Sequence, residues 1–242
     1  MDCISLGGLV EVVVNTVFGP MAIIPTDAKI GAELKRKGCW DLIEIIESIQ
    51  LFDRYAHDAK VILDVGCNVG AWTLPIARRY PDAMVMAFDC QEYLIRCLNK
   101  TLDLNKIENV QGYVMAISDT NETIKFGSID YNFGGNFGAF ELEPPAQNPD
   151  FNGRAVPGKF DEIDQRTIDR FELDNVGLIK IDAEGMELKV IRGSLNTLQR
   201  CKSVVLFENH KCDYPAVVEL LQSINYRIVS TVGQMSCAVF AK

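Results

Sequence analysis

The stretch that decides the fold reads Val61-Ile-Leu-Asp-Val-Gly-Cys-Asn-Val-Gly70, an apolar run that ends in a glycine turn. A short continuous apolar run is typical of a parallel strand that is buried on both faces. A helical pattern follows over 70–80. This order of strand, turn and helix predicts the first βα unit of an open α/β sheet, in which a ligand binds at the carboxyl end of the strand.

Strand-like runs and helical patterns alternate through the rest of the chain. The alternation predicts an α/β fold built on a doubly wound, mostly parallel sheet. Only Gly233-Gln-Met235 separates the last two runs, which is too short for a crossover, so the last strand is predicted to be antiparallel. The seven predicted strands cover residues 61–65, 83–88, 110–117, 178–181, 204–207, 226–232 and 236–240.

Two regions stand outside this alternation. Residues 1–57 are predicted to form a hairpin and helical extension, because two apolar runs flank a turn signal and helical patterns follow over 27–37 and 40–57. The main domain then covers 58–242. Within it, residues 120–165 carry aromatic side chains among glycines and prolines. Loops of this length are usually functional or disordered, so we expect a substrate-side insertion there.

Composition limits the partners of the chain. The 242 residues carry a net charge of −9, so the chain repels phosphate backbones, and we expect no nucleic-acid partner. No apolar stretch is long and uniform enough for a membrane helix, and the first residues do not follow the secretory pattern. The eight cysteines lack metal-site or redox spacing. We therefore expect a cytoplasmic protein without a membrane partner, and we leave a homo-oligomer open.

The glycine turn is the first part of a predicted nucleotide site. Gly66 allows the backbone to approach a ligand closely, and Gly70 allows the helix to pack on the strand. The pattern lacks the second glycine of the dinucleotide fingerprint, and Trp72 would obstruct a pyrophosphate, so a nucleotide without phosphate fits better. The candidate binding residues in this stretch are Asp64, Gly66, Asn68, Gly70, Trp72 and Thr73.

The ends of the next two strands complete this predicted site. Asp89 follows the second strand, 25 residues after Asp64. A carboxylate at this position can accept hydrogen bonds from both hydroxyls of a ribose. The adenine of the nucleotide is expected against the end of the third strand, near Ala116 and Ile117.

The fourth predicted strand ends in the acidic block Lys180-Ile-Asp-Ala-Glu-Gly-Met-Glu187. Three carboxylates this close together need cations or hydrogen-bond donors. One interpretation is a divalent-metal site formed with Glu208. The other is that Asp182 faces the cofactor or substrate, while Glu184 and Glu187 hold the loop and the helix start. Because Lys180 and the helix start can satisfy these acids, we expect no metal.

Together these pieces resemble the S-adenosylmethionine-dependent methyltransferases of the FkbM family. The acidic block from Lys180 to Glu187, with Gly193 six residues after it, is close to the K-I-D-V-E-G-x-E run of that family. Thr167-Ile-Asp169 resembles its T-L-D segment. Asp89-Cys90 departs from the Glu-Pro that the family often has. The resemblance covers about residues 19–232. It implies a Rossmann-like class I methyltransferase fold, S-adenosyl-L-methionine as cofactor, and O-methylation of a sugar, glycan or small natural product.

The candidate catalytic residues are His210, Asp182 and Glu184. His210 comes two residues after Glu208, just past the fifth strand, so it should lie at the ligand edge of the sheet. A hydroxyl becomes a good nucleophile only when its proton is taken up, and an imidazole can accept it near neutral pH. In the alternative, Asp182 or Glu184 takes the proton.

Two other functions stay open from the sequence. The first is a Rossmann-type oxidoreductase that uses a nucleotide cofactor, against which the incomplete glycine fingerprint argues. The second is a catalytically inactive cofactor-binding module. The intact glycine turn, the acid after the second strand and the acidic block favour an active enzyme over both.

Overall fold

The computed structural model describes residues 11–142 and 153–241. In chain order the strands are β1 (Val12–Thr16), β2 (Gly19–Ile23), β3 (Val61–Val65), β4 (Met84–Asp89), β5 (Val110–Val114), β6 (Ala116–Ile117), β7 (Glu122–Ile129), β8 (Ala155–Arg166), β9 (Val176–Ile181), β10 (Val204–Glu208), β11 (Tyr226–Val232) and β12 (Met235–Phe240). The α-helices are α1 (Ile30–Lys37), α2 (Leu42–Tyr55), α3 (Thr73–Arg79), α4 (Glu92–Asn105), α5 (Glu187–Arg192), α6 (Leu195–Cys201) and α7 (Tyr214–Ser223).

A seven-stranded sheet in the order β11-β12-β10-β9-β3-β4-β5 forms the centre of the fold. Neighbouring strands from β10 to β5 are parallel, and β12 is antiparallel to both β10 and β11. The predicted seven strands and the predicted antiparallel last strand are therefore confirmed. The chain moves from β3 to β4 and β5 on one side and returns to β9 on the other. This reversal places a crevice at the carboxyl ends of β3 and β9.

The apolar run of β3 forms a buried strand because both faces of the sheet are covered. Leu63 packs in one core cluster with Ile179 of β9, and its neighbour Ile62 packs in another cluster with Leu178. Side chains alternate between the faces of a strand, so consecutive apolar residues feed two separate cores. Burial of one such side chain contributes about 1.5–3 kcal/mol.

The N-terminal segment packs directly on this sheet. Strands β1 and β2 pair in antiparallel fashion, which confirms the predicted hairpin, and the two predicted helices correspond to α1 and α2. Phe52 of α2 lies in the same core cluster as Ile62. The backbone N–H of Ala22 donates to Thr101 Oγ1 of α4 at 2.9 Å. The segment thus shares its core with the sheet, and a domain boundary at 57–58 stays a prediction.

The insertion is more regular than the sequence suggested. Strand β8 pairs with both β6 and β7 in a separate three-stranded sheet, so the described part of the expected insertion at 120–165 contains regular strands that the sequence did not indicate. Eight of the twelve residues of β8 are exposed and five are charged, so the strand shows no clear alternation of apolar and polar residues. The third predicted strand, 110–117, accordingly divides between β5 and β6. Phe151, one of the aromatic residues of the insertion, lies outside the described residues.

The extension and the insertion meet at one edge of the crevice. Ala28 N–H donates to the carbonyl oxygen of Gly135 at 2.9 Å, and the Thr26 hydroxyl donates to the carbonyl oxygen of Tyr131 at 2.6 Å. These contacts join two parts of the chain that are about a hundred residues apart.

The helix predicted over 187–198 is interrupted. It divides into α5 and α6 at Gly193 and Ser194. A Cβ atom at Gly193 would lie 2.0 Å from the carbonyl oxygen of Ser118, so only glycine permits this approach of the two backbones. The interruption therefore serves the contact between the helix and the start of the insertion.

Within the described ranges, the structure has no helix of the length and apolarity that a membrane span requires. The seven cysteines of the described part carry free thiols.

Gly66 permits the tight turn after β3, and its replacement is a test of that turn. Its φ is +77°, and a Cβ there would lie 1.8 Å from the carbonyl oxygen of Asp182. Gly158 in β8 is a matched control, with a φ of +70° and no atom within 4 Å of such a Cβ. We expect Gly66→Ala to lower the free energy of unfolding by about 2 kcal/mol more than Gly158→Ala, a cost within the range for overpacking.

Urea unfolding followed by circular dichroism measures both values. Equal losses in the two variants would mean that the turn does not depend on the contact between Gly66 and Asp182.

Candidate active site

A cavity of about 380 Å³ opens at the carboxyl ends of the central strands. The extension, the insertion and the loops after β3, β4, β9 and β10 all contribute to its wall. Six acidic side chains and two lysines are among the described residues that line it. They are Asp41, Glu44, Asp89, Asp182, Glu184, Glu208, Lys29 and Lys211.

The glycine turn forms one side of the cavity. Gly66 and Asn68 line it, as predicted. Asn68 adopts a left-handed backbone with φ +51°, and its side-chain Oδ1 accepts a hydrogen bond from the N–H of Val69 at 2.8 Å. This bond stabilises a conformation that non-glycine residues rarely adopt.

Asp89 lies at the end of β4 and also lines the cavity. Its carboxylate accepts hydrogen bonds from the backbone N–H groups of Asn68 at 3.0 Å and Gln91 at 2.9 Å. Burial raises the pKa of this carboxyl to about 6, although the two backbone hydrogen bonds act to lower it. Asp89 is therefore largely ionised at neutral pH, and its orientation is fixed from two sides.

The end of the third predicted strand provides an apolar wall. Ala116 and Ile117 are buried and line the cavity, as expected. Phe88, Met115 and Phe140 add to this wall. The sequence did not single out Phe88 and Met115 as site residues, whereas Phe140 is one of the aromatic residues of the expected substrate-side insertion. Phe140 belongs to the insertion, whose position relative to the sheet depends on tertiary contacts.

Four of the predicted binding residues lie outside the cavity lining, namely Asp64, Gly70, Trp72 and Thr73. Helix α3 begins at Thr73, and the turn before it directs these side chains into the core. Trp72 Nε1–H donates to Ser48 Oγ at 3.0 Å, and Thr73 Oγ1–H donates to Asp64 Oδ2 at 2.6 Å. These residues support the glycine turn from below.

Lys180 and Asp64 form a buried ion pair beneath the cavity. Its Nζ lies 3.3 Å from Asp64 Oδ1, 3.3 Å from the carbonyl oxygen of Gly66 and 3.5 Å from Asp182 Oδ2. The side chains of Lys180 and Asp64 are 7% and 0% exposed. Burial acts to lower the pKa of the Lys180 ammonium, but the carboxylates of Asp64 and Asp182 outweigh it and raise the pKa above its ordinary value. The ammonium of Lys180 is therefore kept charged by its acidic neighbours.

The acids after β9 and β10 converge in the cavity. Asp182, Glu184 and Glu208 each present a carboxylate oxygen within 4.8 Å of the others, so these three could hold a metal ion. Burial raises the pKa of Glu184 to about 7, and Asp182 adds to the shift. Burial and then the charge of Asp182 likewise raise the pKa of Glu208. Lys211 contacts Glu184 Oε2.

Glu187 has the holding role that one interpretation of the acidic block predicted. It is fully buried, and its Oε1 accepts hydrogen bonds from the N–H groups of Ala183 at 2.9 Å and Gly185 at 3.3 Å. Glu187 therefore stabilises the loop that carries Asp182 and Glu184.

His210 lies in the same cavity as Asp182 and Glu184, so the structure brings together the three candidate catalytic residues. Its Nδ1 lies 3.1 Å from Glu208 Oε1, and its side chain is 36% exposed. The ring is therefore both oriented by an acid and accessible from the cavity. His57, by contrast, pairs with Asp58 and is 68% exposed.

The sequence did not single out the contribution of the extension to the site. Asp41 and Glu44 line the cavity at the start of α2. Burial raises the pKa of Asp41 to about 6 and that of Glu44 to about 8. The sequence offered one indication, which is that Glu44 and Ser48 are four residues apart and therefore share one helix face. In the structure Ser48 is buried against Trp72, so this face of α2 is turned toward the main domain.

A model of the methyltransferase FkbM domain matches residues 64–228, which is more than half of the chain. The chain belongs to the FkbM methyltransferase family. The match covers the glycine turn, Asp89, the acidic block and His210, so the predicted family resemblance is confirmed.

The relatives of this FkbM-family chain are distant. A protein named Methyltransferase 1 from Beauveria bassiana is 22% identical over 147 residues, which cover 56% of the chain and 59% of that protein. A protein named ribosomal protein L11 methyltransferase from Acetivibrio thermocellus is 33% identical over 69 residues, which cover 28% of the chain and 22% of that protein. The chain thus matches less than two thirds of the length of these relatives.

Solved structures agree on the fold. A methyltransferase FkbM from Methylobacillus flagellatus superposes with a TM-score of 0.51 at 18% identity, over 76% of this chain and 43% of that one. A precorrin-6y C5,15-methyltransferase from Geobacter metallireducens superposes with a TM-score of 0.51 at 11% identity, over 88% and 90% of the two chains. The predicted Rossmann-like class I methyltransferase fold is confirmed.

The buried pair under the cavity is open to a direct test. Lys180→Met leaves the buried carboxyl group of Asp64 without its cationic partner, so we expect the free energy of unfolding to fall by about 3–5 kcal/mol. Lys125→Met is the control, because Lys125 pairs with Glu162 on the surface, where ion pairs contribute little.

Urea unfolding of both variants, beside the unchanged chain, gives the comparison. A Lys180→Met protein as stable as the Lys125→Met protein would contradict a structural role for the buried pair.

Proposed function

We propose that this FkbM-family protein binds S-adenosylmethionine in the cavity and transfers the methyl group to a hydroxyl of a sugar, a glycan or a small natural product. The observation that carries this proposal is the position of Asp89, the glycine turn and His210 around one cavity. The first two suit a nucleoside, and the third suits the removal of a proton from a hydroxyl.

The cavity residues fit the proposed cofactor. Gly66 leaves room where any side chain would collide with the neighbouring loop, and the carboxylate of Asp89 would accept hydrogen bonds from the ribose hydroxyls. Ala116 and Ile117 would flank the adenine. The volume of about 380 Å³ falls within the usual range for small-molecule sites. The excess of acids over lysines in the wall favours a ligand that carries both a sulfonium and an ammonium group.

The chemistry supplied by this cofactor is an electrophilic methyl group on a sulfonium. The residues of the chain would prepare the nucleophile. His210 would accept the proton of the acceptor hydroxyl, with Glu208 holding the ring through its contact at 3.1 Å. Such general-base assistance is worth about 10²–10⁴-fold in rate. In the alternative, Asp182 or Glu184 takes the proton and His210 positions the acceptor.

The other two functions have less support. A nicotinamide-type oxidoreductase needs room for a pyrophosphate, which the Asn68 turn does not favour, and membership of a methyltransferase family argues against it. An inactive cofactor-binding module would bind S-adenosylmethionine without turnover. The acidic wall also disfavours a nucleic-acid acceptor, because it repels phosphates.

The first test concerns the ribose carboxylate. Asp89→Ala removes charge-assisted hydrogen bonds worth about 1.5–3 kcal/mol, so we expect the affinity for S-adenosylmethionine to fall about tenfold or more. Asp103→Ala is the control, because Asp103 is an exposed acid on α4. Isothermal titration calorimetry on folded variants measures both. Unchanged affinity in Asp89→Ala would remove Asp89 from the cofactor site.

The second test concerns the proton acceptor. We expect His210→Gln to lower turnover at least about a hundredfold while the affinity for S-adenosylmethionine is kept, because glutamine cannot take the proton. His57→Gln is the control, since His57 lies outside the cavity lining. Transfer of a radiolabelled methyl group to a panel of sugars and hydroxylated natural products identifies an acceptor and then measures turnover.

Near-normal turnover in His210→Gln would move the proton acceptor to Asp182 or Glu184. An unchanged chain that binds the cofactor but methylates nothing in the panel would favour the inactive module.

A further inference from the structure

Three carboxylates on different loops meet at the end of the cavity beside His210. Asp182 and Glu184 follow β9, and Glu208 ends the neighbouring strand β10. One oxygen from each lies within 4.8 Å of the others. Like charges at this spacing repel one another, so the cluster needs protons or cations to be stable.

An unpartnered atom within the cluster points to a missing ligand. Glu208 is only 7% exposed. Its Oε1 lies beside His210 Nδ1, but its Oε2 is buried and has no hydrogen-bond partner among the described residues. Buried carboxylate oxygens in native proteins are normally partnered, so this atom requires an explanation beyond the clustering of acids.

The nearby lysines are engaged with other acids of the site. Lys180 lies closer to Asp64 than to Asp182, and Lys211 contacts Oε2 of Glu184. The contact with Lys211 leaves Oε1 of Glu184 as the candidate ligand atom. The expectation of a reaction without metal depended on Lys180 and the helix start. These groups contact Asp182 and Oε1 of Glu187, whereas the Oε2 atoms of Glu187 and Glu208 are left without a partner among the described residues. Of these two residues, only Glu208 presents an oxygen within 4.8 Å of Asp182 and Glu184.

We propose that Asp182, Glu184 and Glu208 bind one divalent cation of the Mg²⁺ type. Oxygen donors, carboxylates above all, are the ligands that Mg²⁺ and Mn²⁺ prefer. The cation would give the buried oxygen of Glu208 its partner and would balance the charges of the cluster. Three protein ligands leave coordination positions open, because Mg²⁺ has octahedral geometry and keeps several waters.

The open positions suggest a role for the cation, and this step rests on the proposed function. An acceptor with two neighbouring hydroxyls could replace two waters and place one oxygen next to His210. The acceptor class would then be a vicinal diol or catechol, which a metal binds through both oxygens. Binding of the cation itself does not depend on this role.

The test begins with the metal alone. Titration of the full chain with Mn²⁺, followed by the electron paramagnetic resonance signal of the free ion, should show one bound Mn²⁺ per chain, which Mg²⁺ displaces. Glu208→Gln and Asp182→Asn should each weaken Mn²⁺ binding about tenfold or more. Glu219→Gln is the matched control, because Glu219 is an exposed acid on α7.

Folding of the variants is measured in the same series by thermal unfolding without metal. Glu208→Gln replaces an unpartnered buried carboxylate with a neutral group, so it should fold at least as well as the unchanged chain. Weak Mn²⁺ binding in a well-folded Glu208→Gln protein supports the site. No Mn²⁺ binding by the unchanged chain, or equal binding by both variants and the unchanged chain, overturns it.

Activity separates this proposal from the proposed function. If methyl transfer is lost in chelator and restored by Mg²⁺, both are supported. If Mn²⁺ binds at the three acids but no acceptor is methylated, the metal site stands and the proposed function fails. If methyl transfer proceeds fully in chelator while no Mn²⁺ binds, the proposed function stands and the metal site is overturned.

Discussion

The rest of the site depends on one buried ion pair, between Lys180 and Asp64. The two residues are direct register partners on the central strands β9 and β3, where the order of the sheet reverses. In this low-dielectric position an unpaired charge would be very costly. The ion pair therefore favours the register of β3 and β9 that places Asp64 opposite Lys180. Thr73 ties the following helix to Asp64, and the carbonyl oxygen of Gly66 ties the glycine turn to Lys180. These contacts fix the positions of the two strands, the glycine turn and the following helix relative to one another beneath the cavity.

The buried ion pair also affects the charge distribution in the cavity above it. Asp182 shares Lys180 with Asp64, and acids from the extension and from β10 surround it. Burial raises the pKa values of Asp41, Glu44 and Glu184, because water is replaced by protein around charges of the same sign. Such a wall would favour a cationic ligand over an anionic one.

The central sheet was predictable because each strand carries a continuous apolar run, which reports burial on both faces directly in the sequence. Gly66, Asn68 and Asp89 were predictable for a related reason, since side chains at the carboxyl ends of neighbouring parallel strands must meet. The positions of Trp72 and Thr73 were not, because a turn of two residues decides whether a side chain faces the ligand or the core. Strand β8 was not predicted, because most of its residues are exposed and its sequence therefore lacks an apolar run. Asp41 and Glu44 reach the cavity only through tertiary packing.

The junction of the extension with the insertion has a consequence for how such a protein can diversify. Two hydrogen bonds hold the segments together at the rim, one from the Ala28 N–H to the carbonyl oxygen of Gly135 and one from the Thr26 hydroxyl to that of Tyr131. The paired charges lie on the strands below. The extension lies outside the residues that match the family model, which begin at 64. Changes confined to this rim would reshape the entrance and leave the paired charges in place, whereas residues of the extension such as Phe52 are constrained by the core they share with the sheet. Selection could therefore change the shape of the entrance through the rim while the buried ion pair beneath the cavity is inherited unchanged.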